Sequence, residues 1–162
     1  EHGHETPWHQ DGEYWPIRPL ATCTVWVAVD ESTSENGCLK VIPGSHRSQK
    51  LFRHRTNPKQ ELTLNQELDH DEYDESDAVN LELEAGMISL HDAYLSHGSA
   101  ANRSSRSRRG LTLRFMPTSS VFDREWSSRM AEEKGLIDHA ERTLFLMCGR
   151  DLSGENDYRV RW

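Results

Sequence analysis

No run of apolar residues in this chain approaches the ~20 that a membrane-spanning helix requires. The first eight residues, EHGHETPW, carry neither the basic nor the apolar segment of a secretory signal. A soluble protein is therefore expected, with the cytoplasm as its compartment. Cysteine is scarce. Cys23, Cys38 and Cys148 are odd in number and far apart, which suggests neither a disulfide framework nor a CxxC metal site, so reduced thiols are expected. Positive charge is in deficit, with 19 basic residues against 27 acidic ones and a net charge of −8. That balance argues against a protein whose main partner is a phosphate backbone or an anionic membrane, and leaves a small-molecule substrate as the expected partner. Internal repeats and coiled-coil heptads are also missing. At 162 residues the chain is long enough to bury a core without a staple, and one domain spanning 1–162 is the expectation. Its oligomeric state is left open.

What is present is strand. Ala21 to Val29, ATCTVWVAV, alternates with period two, placing Cys23, Val25, Val27 and Val29 on one face and Thr24, Trp26 and Ala28 on the other. Asn36-Gly37 then supplies a turn, and CLKVI, stopped by Pro43-Gly44, reads as the second arm of a hairpin. VNLELEAGMISL and LTLRFMP repeat the alternation, so the class is β-sandwich or barrel. Residues 52–78 differ in kind, being polar and acidic, and read as a long surface loop of the sort that serves as a lid or as a solvated insertion. Within it DHDEYDESD lacks the glycine and terminal glutamate of a calcium loop. Asp123 as an N-cap and Gly135 as a stop bracket one short C-terminal helix.

The chemistry concentrates in WHQDGEYW. On a strand, residues two apart project to the same side, so His9 and Asp11 point together and Gln10 points away. An imidazole and a carboxylate on one face hold a divalent metal only with a third ligand. The best-placed donor is His97, followed eleven positions later by Arg108; an antiparallel pair flanking GSAANRSSRS would bring the two together. His91-Asp92 is a rival ligand source. Two histidines and one carboxylate on one face of a metal suit non-heme Fe(II), leaving positions for a bidentate 2-oxo acid and O₂. A guanidinium fork is then needed for the far carboxylate of 2-oxoglutarate, and Arg108 is preferred to Arg106 and Arg109 for its interval.

These residues carry a resemblance. WHQDGEYWPIRP, VWVAVDESTSENGCLKVIPGSHR and HGSAANRSSRSRRGLTLRF are similar to successive signature blocks of the phytanoyl-CoA dioxygenase family of Fe(II)/2-oxoglutarate oxygenases, over roughly residues 6–117. The resemblance implies an all-β core, a double-stranded β-helix (a cupin-like jelly roll), with the long polar loop inserted and the short C-terminal helix appended. It also implies that His9, Asp11 and His97 ligate iron, that Arg108 pairs with the C5 carboxylate of 2-oxoglutarate, and that Thr24 and Trp26 lie near that co-substrate. Family members carry a substantial portion before the H-x-D strand, where this chain has eight residues, so a missing N-terminal portion is expected. Related halogenases replace the carboxylate with a small residue, so Asp11 implies hydroxylation. Two other readings stay open: a non-catalytic jelly-roll module with a vestigial site, and a cupin-like enzyme using another divalent metal. Trp8, Tyr14 and Trp15 read equally as pocket walls or core aromatics, Arg18 and Arg114 as anion ligands or surface residues, and the His2/His4 pair as a terminal segment without function.

Overall fold

The computed structural model describes residues 3–59 and 62–160, so His2 lies outside the described residues. The regular elements are mostly strands: β1 (Thr6–His9), β2 (Ile17–Arg18), β3 (Cys23–Ala28), β4 (Leu39–Val41), β5 (His54–Thr56), β6 (Gln66–Leu68), β7 (Val79–Leu81), β8 (Ile88–Asp92), β9 (His97–Ser99), β10 (Gly110–Phe115) and β11 (Val121–Phe122), then helix α1 (Arg124–Lys134), β12 (Phe145–Leu146) and β13 (Arg159–Val160). Among the described residues no helix is long and apolar enough to cross a membrane.

Two compact units divide these elements, one comprising Glu1–Glu13 and Cys23–Arg114, the other Tyr14–Thr22 and Phe115–Trp162. The first unit holds a four-stranded sheet in the order β1-β9-β4-β7, a three-stranded sheet in the order β10-β3-β8 and the β5-β6 ladder. β3 is central in its sheet. Its register against β8 sets Thr24 opposite His91, Val25 opposite Leu90, Trp26 opposite Ser89 and Val27 opposite Ile88. Thr24, Trp26 and Ala28 share a face, as the alternation predicts, and that face is the buried one, while Cys23 is exposed.

Three expectations change. The Asn36-Gly37 turn does not close a hairpin, because β3 and β4 belong to different sheets. The link between them is pinned as a crossing loop: the buried Asn36 side chain accepts from Thr33 N and donates to the carbonyls of Glu31 and Ser107. Nor do β9 and β10 pair, each being committed to a different sheet. The polar stretch at 52–78 is partly ordered, with β5 and β6 laddered from His54↔Leu68 to Thr56↔Gln66 and two 3₁₀ turns following. Leu68, fully buried, anchors it, so the segment has a hydrophobic foot that its composition hides.

Two glycines permit close approaches. A Cβ on Gly98 would stand 3.0 Å from Thr6 O and 3.2 Å from Trp8 N, so the residue after His97 lets β9 lie tightly on β1. A Cβ on Gly110 would overlap the Trp26 indole, which is seated over that backbone.

In the second unit β2 pairs antiparallel with β11, and β12 pairs parallel with β13. Helix α1 has the predicted ends: the Asp123 carboxylate accepts from Trp126 N, and Gly135 closes the helix in the left-handed region at φ 64°. Trp15 stacks on His139 at 4.6 Å, with Arg142 lying over the indole, so this tryptophan is a structural aromatic of the second unit. Arg18 lies over Trp126 and near Asp123.

Candidate metal centre

β1 ends at His9, and the chain turns at once into a 3₁₀ turn over Asp11–Glu13. Asp11 therefore is not a strand residue as the i, i+2 reasoning assumes, yet its carboxylate still meets the His9 ring. Gln10 between them is buried in its own socket: its amide nitrogen donates to Lys50 O and Tyr94 O, and its carbonyl oxygen accepts from Phe52 N. Its backbone N–H donates to Nε2 of His54. Those bonds tie the strand end to two other segments and fix the direction in which its neighbours point.

Antiparallel pairing sets His9 opposite His97. The two rings lie 4.1 Å apart, with His9 Nε2 3.7 Å and His97 Nε2 3.9 Å from Asp11 Oδ1. Among the described residues these three form a group whose ligand atoms all lie within 4.8 Å of one another, and all three are buried. Each histidine turns Nδ1 to a carbonyl two residues back, His9 to Pro7 O and His97 to Leu95 O, both at 2.8 Å. A carbonyl only accepts, so Nδ1 carries the proton and Nε2 presents its lone pair to the shared space. Burial, the His9 ring and the nearby His91 lower the His97 pKa to about 3 against the pull of Asp11, so the ring is neutral and able to bind a cation.

Asp11 is the charged member. Burial opposes its ionisation, but the neighbouring His9, His91, His97 and Arg114 side chains outweigh burial and hold it well below the usual carboxylate range. Its two oxygens have different company. Oδ1 faces the His9 and His97 Nε2 atoms and lies 3.1 Å from Arg114 Nη2; Oδ2 accepts from Thr24 Oγ1 at 2.7 Å and lies 3.4 Å from His91 Nε2. An ionised carboxylate beside two buried imidazoles that present Nε2 is a fit donor set for a divalent transition metal.

Arg108 stands off this group, on the far side of Ser99. Its Nη2 reaches Ser99 Oγ at 3.4 Å, and its buried Nε has no hydrogen-bond partner among the described residues. Burial pushes its pKa below the usual guanidinium value, opposed by the neighbouring Cys38. The competing arginines are both engaged at the surface, Arg106 with Glu31 and Glu35, Arg109 in a two-pronged pair with Asp30. Trp26 is on the same inner face as Thr24, over Gly110.

The structure brings together the three donors that the residue pattern singles out and sets Thr24 against Asp11. The pattern placed His91 only as a rival ligand and Arg114 only as an optional anion site; both lie against Asp11. The signal for His91 is its register opposite Thr24, and for Arg114 its position on β10, neither of which is written in residue spacing.

Comparison with known proteins gives the family. The family model for phytanoyl-CoA dioxygenase matches residues 1–110. A phytanoyl-CoA dioxygenase domain-containing protein 1 homolog of Dictyostelium discoideum is 38% identical over 116 residues, covering 70% of this chain and 41% of the relative. The peroxisomal phytanoyl-CoA dioxygenase of Homo sapiens is 34% identical over 113 residues, covering 67% of this chain and 32% of the relative. Among solved structures, EvdO2 from Micromonospora carbonacea var. aurantiaca complexed with 2-oxoglutarate is 31% identical with a TM-score of 0.61, over 71% of this chain and 46% of that one. The apo form of the non-heme monooxygenase ThoJ is 27% identical with a TM-score of 0.62, over 74% and 43%. This chain spans about two-fifths of the length of the Dictyostelium relative. With the family model matching residues 1–110 of 162, the chain belongs to the phytanoyl-CoA dioxygenase family.

Proposed function

We propose that this chain carries the metal-binding core of an Fe(II)- and 2-oxoglutarate-dependent oxygenase that hydroxylates an unactivated C–H bond of a small-molecule substrate, with release of succinate and CO₂. The observation that carries the reading is the pairing of two features: the buried His9, Asp11 and His97 group, and a half-buried guanidinium at Arg108 whose Nε has no hydrogen-bond partner among the described residues. Bound iron with 2-oxoglutarate and O₂ would supply the oxidising chemistry. The protein's part is positional. His9 and His97 offer Nε2, and Asp11 offers Oδ1, which leaves the other side of the metal for co-substrate. His97 and Ser99 are two residues apart on β9, so Arg108 at Ser99 sits about 7 Å along the strand from the histidine ligand. A five-carbon diacid held by its 2-oxo and C1 carboxylate groups at the metal reaches such a site with its other carboxylate, and a fork of N–H donors is the group that binds it when water is removed.

Several features support the reading further. The 2-oxoglutarate complex of EvdO2 is similar in fold and 31% identical in sequence. Thr24 serves the co-substrate side indirectly, through Asp11, and Trp26 walls the same face. A carboxylate at position 11 takes the place a halide would need and favours hydroxylation. The double-stranded β-helix is the architecture in which the two sheets of the first unit are best understood. Three free thiols suit a reducing compartment such as the cytoplasm.

The test is direct. Purified protein loaded with Fe(II) should release succinate from 2-oxoglutarate, and a panel of small molecules should contain some that raise that rate and gain 16 mass units. N-Oxalylglycine should bind tightly to the metal-loaded protein. A protein that binds Fe(II) but neither N-oxalylglycine nor 2-oxoglutarate would point to a different metal enzyme.

A further inference from the structure

The Asp11 carboxylate is held by its non-facing oxygen as firmly as it is presented by the other. Thr24 and His91 are opposite partners in the β3-β8 ladder, side by side on its inner face, and both reach Oδ2. The His91 side chain is only 4% exposed; its Nε2 lies 3.4 Å from Asp11 Oδ2, and neither ring nitrogen makes a well-aligned hydrogen bond among the described residues. A buried imidazole ordinarily finds partners for both nitrogens. Here both lack a well-aligned partner, and the Asp11 carboxylate is the acceptor that Nε2 faces.

We infer that His91 is a positioning residue of the metal centre. Together with Thr24 it occupies Oδ2 of Asp11, so the carboxylate binds metal through Oδ1 alone. This inference rests on the oxygenase reading for the identity of the site and adds to it a residue that does not itself touch metal. The physical consequence is a coordination number. A carboxylate free to swing can chelate through both oxygens and take a position that the co-substrate needs; one whose second oxygen accepts from the Thr24 hydroxyl and packs against His91 Nε2 cannot do so without losing that bond and displacing the ring. Partners of this kind in other metal sites change metal affinity ~10- to 100-fold when removed. His91 approaches His97 as well, the two rings being 4.6 Å apart, so its bulk also limits how far that ligand can tilt.

Co(II) is the probe, because its visible absorption reports coordination number independently of turnover. The variants are His91→Leu, which keeps bulk and removes the donor, and His91→Gln, whose amide places an N–H near the position of Nε2. The inference expects His91→Leu to bind Co(II) ~10- to 100-fold more weakly, with the absorption changed, and His91→Gln to restore both. Thr24→Val combined with His91→Leu should lose less than the two single losses added, since both act on one oxygen. Wild-type affinity and spectrum in His91→Leu would overturn the inference. A His91→Gln protein as impaired as His91→Leu would overturn it too, by showing that ring shape matters and the donor does not. If His91→Leu fails to fold, His91→Gln decides alone by the same criterion. Failure of the wild-type protein to bind Co(II) or Fe(II) at all would instead bring down the oxygenase reading.

Discussion

The two faces of the β10-β3-β8 sheet invert the usual arrangement of polarity. On the inner face are Thr24, Ser89 and His91 beside Trp26; on the outer face, in register one residue over, are Val25, Val27, Ile88 and Leu90. Thr24 is 1% exposed, while Ile88 and Leu90 are exposed at 53% and 62%. Hydropathy alone would turn this sheet over. Period-two alternation separates two faces without saying which is inside, and the inner one is chosen by chemistry: an ionised carboxylate can be buried only where donors and a cation meet it. A buried polar face is the informative feature of such a sheet, more so than an apolar residue in water.

Removing the centre of the inner face should have the largest effect. Asp11→Ala deletes one proposed ligand and strands the Thr24 hydroxyl and the His91 ring that face its Oδ2. Metal affinity should fall by more than the ~100-fold seen for supporting residues, and succinate formation should cease. Calorimetric titration with Co(II) and a succinate assay check this. Undiminished turnover would remove Asp11 from the ligand set, and with it the reason for the inverted face.

Trp26→Ala tests the apolar part of the same face. The indole is 9% exposed and seated over Gly110, so truncation leaves a cavity worth about 3–5 kcal/mol in urea unfolding. Arg108→Gln comes next. It keeps hydrogen-bonding capacity and removes the charge, so the KM for 2-oxoglutarate should rise about 10- to 100-fold, the equivalent of one charge-assisted hydrogen bond. Co(II) affinity should stay at the wild-type value, because Arg108 contacts Ser99 and no member of the metal group. A KM that does not move would leave the guanidinium structural.

How much of this was legible beforehand depends on the range of the interaction. His9 and Asp11 are two residues apart, and Thr24 and Trp26 share a strand face, so local geometry exposes both pairs. Helix α1 is written in its caps, Asp123 and Gly135, because capping involves only neighbours along the chain. The pairing of β3 with β8 in place of β4 could not be read, since Asn36-Gly37 resembles a hairpin turn whether or not its strands pair. His91 and Arg114 escaped for a related reason. Each meets Asp11 through a ladder register or a sheet order that joins segments 80 to 103 residues apart, and nothing in their own neighbourhood signals it. Gln10 was read correctly as pointing away from its neighbours, but its destination, a socket made by Lys50, Phe52 and Tyr94, is a tertiary fact.

The smallest expected effect makes the sharpest contrast with His91, because it comes from the residue next to it. Leu90 points out of the sheet where His91 points in, and its side chain lies opposite Val25 in water. Leu90→Thr exchanges one strand-compatible side chain for a more polar one, at a site with little buried area to lose. Its effect on urea unfolding should stay within about 0.5 kcal/mol, and Co(II) affinity and spectrum should match the wild type. The β-branched threonine also suits the pleated surface, which offsets part of any lost contact with Val25. A loss well above that figure would mean that the outer face is covered by apolar structure in the protein as measured, and that the inversion belongs to this sheet taken alone. Equal behaviour of Leu90→Thr and His91→Leu would erase the distinction between the faces altogether, since adjacent residues on one strand differ only in the side to which they point.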